Sequence, residues 1–215
     1  MDSKRHWHEV YAQKAEDAVS WFQPRPDISL ALIAAAGLDP LDPIVDVGGG
    51  ASRLVDNLLA EGHRDVTVLD VAAAALEKSR ARLDTAKDSV HWVVADITRW
   101  RPERRYRLWH DRAAFHFLTT SEDRLAYRRA LEAGLMPGGT AIIASFAIDG
   151  PERCSGLPVQ RYSPDTLAAE LGPTFKLMER HQEEHTTPAG RVQHFQYSVF
   201  SYAPGVRQSP ATPGP

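Results

Sequence analysis

Cysteine is almost missing from this sequence. Its 215 residues hold one, Cys154, so no internal disulfide framework staples the chain. Long hydrophobic runs are lacking too: the most apolar stretch, LALIAAAGL, is about half of the ~20 residues that cross a bilayer. The start, MDSKRHWHEV, has no apolar h-region of a secretory signal. These absences predict a cytoplasmic protein with no membrane partner. Positive charge is not in excess: Lys and Arg number 25 against 28 Asp and Glu, a formal charge of -3, which removes the broad basic field that nonspecific nucleic-acid binding relies on. No nucleic-acid partner is expected. What is present is 43% hydrophobic residues, enough for one sizeable core, and at roughly 100–200 residues per domain the chain reads as one domain.

From residue 43 onward, short β-branched runs alternate with longer helical patterns, which implies parallel strands joined by right-handed crossovers. The strands are PIVDVG, DVTVLDV, VHWVVADI, YRLWHD and TAIIASFA; ASRLVDNLLAEG, AAAALEKSRARL and SEDRLAYRRALEAG are the helices between them. Gly62 and Gly134 stand where helix ends favour a left-handed residue, and Ser121 with Asp123 can satisfy the free amides of a helix start. After Gly150 come a Pro/Gly-rich loop, a short helix opened by SPDTLAAEL, and two β-like runs joined by PAG. The fold class is α/β: a doubly wound, seven-stranded mixed sheet with one antiparallel strand supplied by a C-terminal hairpin. Residues 1–203 form the single domain. Within it, 1–40 is a helical N-terminal segment; after it, 204–215, rich in Pro, Ser and Gly, is a mobile tail.

The segment VDVGGGASRL, residues 45–54, turns the first strand into the first helix. A dinucleotide fingerprint needs G-x-G-x-x-G, and aligning Gly48 and Gly50 with its first two glycines puts Arg53 in the third place, where a long cation obstructs helix packing. A phosphate loop needs Gly-Lys-Ser/Thr, which is absent. Asp46 points a carboxylate into the loop, repelling phosphate and suiting a cation such as the amino group of an amino-acid moiety.

At this point the chain resembles the class I S-adenosylmethionine-dependent methyltransferases. Their first motif is acidic-x-Gly-x-Gly-x-Gly; here it is Asp46, Gly48 and Gly50, with Ser52 in place of the last glycine and Gly49 between. The resemblance implies a Rossmann-like fold, S-adenosyl-L-methionine as cofactor and S-adenosyl-L-homocysteine as product. It assigns Asp70, followed by Val71, to the adenosine ribose and Asp96, beside Ile97, to the adenine amino group. Each of these acids can instead cap the helix that follows.

Methyl transfer needs an aligned nucleophile and excluded water; the leaving thioether needs no acid. WHDRAAFHFL after the fourth strand resembles the Trp-Asp-Arg-Gly-Ala segment of thiopurine and related thiol methyltransferases, and the Asp-Lys-Gly segment of protein-lysine methyltransferases. Its candidate catalytic residues are His110, Asp111 and His116, since an imidazole accepts protons near neutrality. The alternative makes His110 a satisfied strand residue and Asp111 with Arg112 an ion pair shaping the loop. Cys154 follows the fifth strand and lies over the same edge. Tyr11 and Trp21, with Trp7 and Phe22, form an N-terminal aromatic set that can close over the cofactor through cation–π attraction or simply pack on the sheet edge. His181, Glu183, His185 and His194 alternate on the hairpin as a solvated polar face, and no metal is assigned. The expected acceptor is a small molecule. Protein-lysine methylation and non-catalytic sensing of the cofactor are the alternatives, and a monomer or a homodimer fits equally.

Overall fold

In a computed structural model, residues 3–13 and 15–205 are described; most of the expected tail, 206–215, lies outside the described residues. The elements run α1 (Ser3–Gln13), α2 (Asp27–Ala35), β1 (Ile44–Val47), α3 (Leu54–Ala60), β2 (Val66–Asp70), α4 (Ala73–Leu83), β3 (Val90–Val94), β4 (Tyr106–Arg112), α5 (Ser121–Gly134), β5 (Leu135–Phe146), β6 (Arg153–Cys154), β7 (Leu157–Pro158), α6 (Pro164–Leu171), β8 (Phe175–Thr186) and β9 (Val192–Tyr202). One seven-stranded sheet has the order β3-β2-β1-β4-β5-β9-β8. The first five strands are parallel, and β9 is antiparallel to both of its neighbours.

β1 and β2 are buried along their whole length because both sheet faces are covered, and their sequences, IVDV and VTVLD, are mostly apolar, with Asp46, Thr67 and Asp70 the buried exceptions. Ile44, Val66, Val68, Leu108 and Ile142 pack on one face with Leu30 of α2 and Leu54 of α3. Val45, Leu69, Trp109 and Ile143 pack on the other with Tyr127 and Leu131 of α5 and Leu167 of α6. Ser163 and Thr166 form a reciprocal cap with Pro164 in the first turn, fixing where α6 begins. Among the described residues no helix is long and apolar enough to cross a membrane.

Two local expectations need correction. The α5 cap is Thr120, not Ser121: the Thr120 side chain accepts the Asp123 amide, and the extended backbone at Thr120 aims it there. Gly134 is not left-handed. It is required because a Cβ there would come within 2.9 Å of Pro102 and of Trp109. In the N-terminal segment, α1 covers Ser3–Gln13 and a separate 3-10 turn covers Glu16–Ala18.

Candidate functional site

The strand order sets Asp96, Asp70, Asp46 and His110 at the carboxyl ends of four neighbouring strands, β3, β2, β1 and β4. Asp46 and His110 are direct register partners. The loop after β1 is held by Gly48 and Gly49 amides that both donate to the Leu69 carbonyl. Gly48 and Gly50 have φ of +71° and +43°, a region where a side chain is strained. At Gly49 the constraint is space: a Cβ would stand 2.7 Å from Val68 Cγ1 and collide with the Asp46 carboxylate.

Above this loop lies a cavity walled by Asp46, Gly48 and Gly49 from below and by His110 and Arg112 from β4. Ser29 of α2 completes the polar wall, and Tyr11, Trp21 and Phe22, with Val19, form an apolar, largely aromatic roof. Its free volume is about 50 Å³, small beside the roughly 300–1,000 Å³ of clefts that hold drug-sized ligands. The roof is latched. Glu16 accepts from Arg53 and from Arg82, each at 2.6 Å, and Arg82 also grips Asp56 through two bonds of 2.7 Å. Arg53, standing where a third glycine would be, therefore points up to the N-terminal segment instead of obstructing the loop. On the other side Arg112 donates to the Trp21 carbonyl, and Gln23 to Glu183 of the hairpin.

Asp70 is buried below Tyr11 and Gly50: a Cβ on Gly50 would fall 2.8 Å from its Oδ2 and 3.2 Å from the Tyr11 hydroxyl. Burial, with Asp46 nearby, pushes its pKa up to about 7, against the Ala72 and Val71 amides that favour the charged form. Val71 is half-buried beside it. Asp70 is thus a buried acid, held ionisable by backbone amides, facing a loop kept free of side chains. A hydroxyl-bearing group fits that position, since it would donate to the carboxylate what burial denies it. Asp46 is buried as well, and its Oδ1 is bonded to His110 Nδ1 at 2.7 Å.

Asp70, Val71 and Gly50 are not themselves among the residues that line the cavity, and other expected residues stand elsewhere. Asp96 is exposed, with Oδ1 accepting from the amide and hydroxyl of Thr98 in a turn that no helix follows; Ile97 packs into the second core cluster, and neither lines the cavity. Asp111 does not reach the cleft and is not ion-paired with Arg112. It is fully buried toward α5, where it accepts from the Tyr127 hydroxyl at 2.8 Å and from the Ala114 and Phe115 amides. Burial raises its pKa to about 6. His116 is also outside the cavity. It stacks against Phe146, takes the Phe146 amide on Nδ1, and burial depresses its pKa to about 3, so a catalytic role for either residue has no geometric support. Cys154 is buried in the first core cluster, where desolvation lifts the thiol to about 11. The hairpin residues disperse: His181 meets Glu179, His185 the Ser20 carbonyl, and His194 Asp149.

If Asp111 is structural, Asp111→Ala strands a buried hydroxyl and two amides. It is expected to cost about 3 kcal/mol of stability, seen as a fall of roughly 10 °C in thermal midpoint. Nucleoside affinity of the folded protein, measured calorimetrically, should stay within about threefold; a large affinity loss with unchanged stability would restore Asp111 to the site.

A family model described as a methyltransferase domain matches residues 44–139. Over 93% of both chains the fold superposes, with TM-score 0.72 and 20% identity, on a structure described under conversion of a disulfide into a thioacetal in echinomycin biosynthesis. It also superposes on the N-methyltransferase NodS of Bradyrhizobium japonicum with S-adenosylhomocysteine, TM-score 0.70 at 15% identity over 94% of this chain and 99% of that one. The Burkholderia thailandensis 1,6-didemethyltoxoflavin N1-methyltransferase gives TM-score 0.67 at 20% identity, covering 94% and 84%. Among curated proteins, the mouse eEF1A lysine and N-terminal methyltransferase is 20% identical over 67% of this chain; the match spans 22% of that protein, so the chain corresponds to about a fifth of its length. The glycine loop and the strand-end acids lie inside the region, residues 44–139, that matches the methyltransferase domain, and the strand order around them is that of the methyltransferase structures on which the fold superposes.

Proposed function

We propose that the cleft binds S-adenosyl-L-methionine and transfers its methyl group to a small-molecule acceptor. The observation that carries this reading is Asp70, buried against a loop that tolerates no side chain and facing Gly50. Asp70 holds the ribose hydroxyls, Asp46 offers negative charge to the amino-acid end, and Gly48, Gly49 and Gly50 let the nucleoside approach the backbone. When bound, the cofactor supplies a methyl group on a cationic sulfur that leaves as a neutral thioether. The chain's own work is to place the acceptor and keep water away. Tyr11 and Trp21 do the second, as the roof over the loop. A small acceptor is favoured because the N-terminal segment and the hairpin together enclose the site, through Gln23, Arg112 and Glu183.

The free volume requires the N-terminal segment to swing away before the cofactor enters. Glu16→Ala removes the carboxylate shared by Arg53 and Arg82 and, at about 1 kcal/mol for such half-buried pairs, is expected to speed S-adenosylhomocysteine association about fivefold in stopped-flow fluorescence. No change in association rate would place the entry path elsewhere.

The resemblance to the eEF1A methyltransferase favours a second reading, transfer to a protein amine. Incubating the full chain with methyl-labelled cofactor and a cell extract separates the two. Label in the metabolite fraction supports the proposal, label on a protein band supports the second reading, and bound cofactor without label in either fraction would make the protein a sensor.

A further inference from the structure

One hydrogen-bonded chain in the cleft starts at Asp46 and runs on through two residues, His110 and Ser29, that the cofactor-binding reading does not use. His110 Nδ1 meets Asp46 Oδ1 at 2.7 Å and His110 Nε2 meets Ser29 Oγ at 2.9 Å, with the three residues 2%, 3% and 0% exposed. All three wall the cavity. An ionised carboxylate only accepts, so the Asp46 bond fixes the imidazole proton on Nδ1 and leaves the Nε2 lone pair to the Ser29 hydroxyl. On its far side Ser29 neighbours Tyr197, whose hydroxyl donates to Glu183 at 3.0 Å and accepts from Arg112 Nε at 2.8 Å. Burial holds that phenol up to about 12, so it keeps its proton, and the Ser29 hydroxyl has both this phenol oxygen and His110 Nε2 within hydrogen-bond reach. Ser29 is the one polar side chain among the buried residues of α2, the others being Leu30, Leu32 and Ile33. A hydroxyl there has a better partner in His110 than helix packing alone would demand.

We propose that Ser29 is the acceptor-facing end of a proton relay running through His110 to Asp46, and that the acceptor is therefore a hydroxyl compound, such as a phenol. This rests on the methyl-transfer reading above. A neutral amine attacks without losing a proton first, and a thioether or pyridine nitrogen has none to lose; a hydroxyl, less acidic than a thiol, depends most on a base as it reacts. The acceptor oxygen uses a lone pair to form the new bond to carbon while the carbon–sulfur pair stays on sulfur. Its proton passes to Ser29 Oγ as the Ser29 proton passes to His110 Nε2, leaving an imidazolium against the Asp46 carboxylate, and the net proton then leaves to water.

Two measurements on the full chain test this. In nitrogen NMR of histidine-labelled protein, His110 is expected to carry its proton on Nδ1 with Nε2 unprotonated; a proton on Nε2 overturns the relay. Methyl transfer is then followed with phenol and catechol as hydroxyl probes, and with dimethyl sulfide and pyridine as probes without a removable proton. Transfer to the hydroxyl probes alone is expected, with kcat reduced about 100-fold in Ser29→Ala, largely restored in Ser29→Thr, and with KM and the S-adenosylhomocysteine Kd changed less than about threefold. Transfer to dimethyl sulfide or pyridine, a loss below about threefold in Ser29→Ala, or no transfer to any probe by a protein that binds S-adenosylhomocysteine would each overturn it. A chain that fails to bind S-adenosylhomocysteine defeats the methyltransferase reading instead.

Discussion

Asp70→Asn is expected to stabilise the protein without cofactor while abolishing most of its affinity for the cofactor. Asp70 has its pKa raised from 3.8 to about 7, burial being the main cause and Asp46 the second opposing charge. The folded state therefore binds this proton more tightly than the unfolded chain does, and stability falls as pH rises between about 4 and 7. Above pH 7 the native protein carries a buried charge that asparagine lacks, so Asp70→Asn should raise the thermal midpoint at pH 8 by several degrees, of order 5 °C. At pH 4 the difference should shrink toward zero. For the cofactor the sign is opposite. Two hydroxyls donating to a carboxylate are worth about 1.5–3 kcal/mol each, and losing the charge should weaken S-adenosylhomocysteine binding about 100-fold. Wild-type affinity should itself fall about tenfold from pH 8 to pH 6, as the proton competes with the ribose. A variant that binds as wild type, or that melts lower at pH 8, would show that this carboxylate does not face the nucleoside.

Gly49→Ala is the second large effect. Its φ is not in the left-handed region, so the penalty is steric: the new methyl would lie 2.7 Å from Val68 Cγ1 and overlap Asp46. Val68 belongs to the packed first core cluster and cannot move far, which leaves Asp46 to be displaced and its bond to His110 to break. Overpacking of this kind costs about 1–3 kcal/mol, a fall of roughly 5–10 °C in midpoint. Cofactor binding should drop together with stability, because Asp46 and the loop move together. Gly62→Ala is the control: with φ of +102° and nothing within 4 Å of the added methyl, it should cost about 1 kcal/mol and leave affinity untouched. Equal effects at both glycines would mean that loop flexibility, not close approach, is what Gly49 provides.

Much of this arrangement is legible in sequence because it depends on local pattern. SEDRLAYRRALEAG corresponds to α5 residue for residue, and the β-branched runs at 44–47 and 66–70 become fully buried strands. The glycine loop and the acids at 46, 70 and 96 can be placed from sequence because parallel strands end at one edge, so a residue's position along the chain fixes its side of the molecule. What closes the site from a distance cannot be placed that way. His110 meets Ser29 across 81 residues, Arg112 meets Glu183 across 71, and Gln23 meets Glu183 across 160. Ser29 leaves one trace, a lone hydroxyl in an apolar helix. Asp111 and Arg112 point to opposite sides of β4 because neighbouring strand residues alternate, and that parity, applied to WHDRAA, separates a core acid from a cleft cation.

The account stands on buried carboxylates at adjacent strand tips receiving a phosphate-free nucleoside. A crystal structure of the full chain with S-adenosylhomocysteine tests this most directly. The ribose hydroxyls should both lie on the Asp70 carboxylate, with Tyr11 and Trp21 closed over the bound nucleoside. A nucleoside bound with its ribose away from Asp70 would contradict the account.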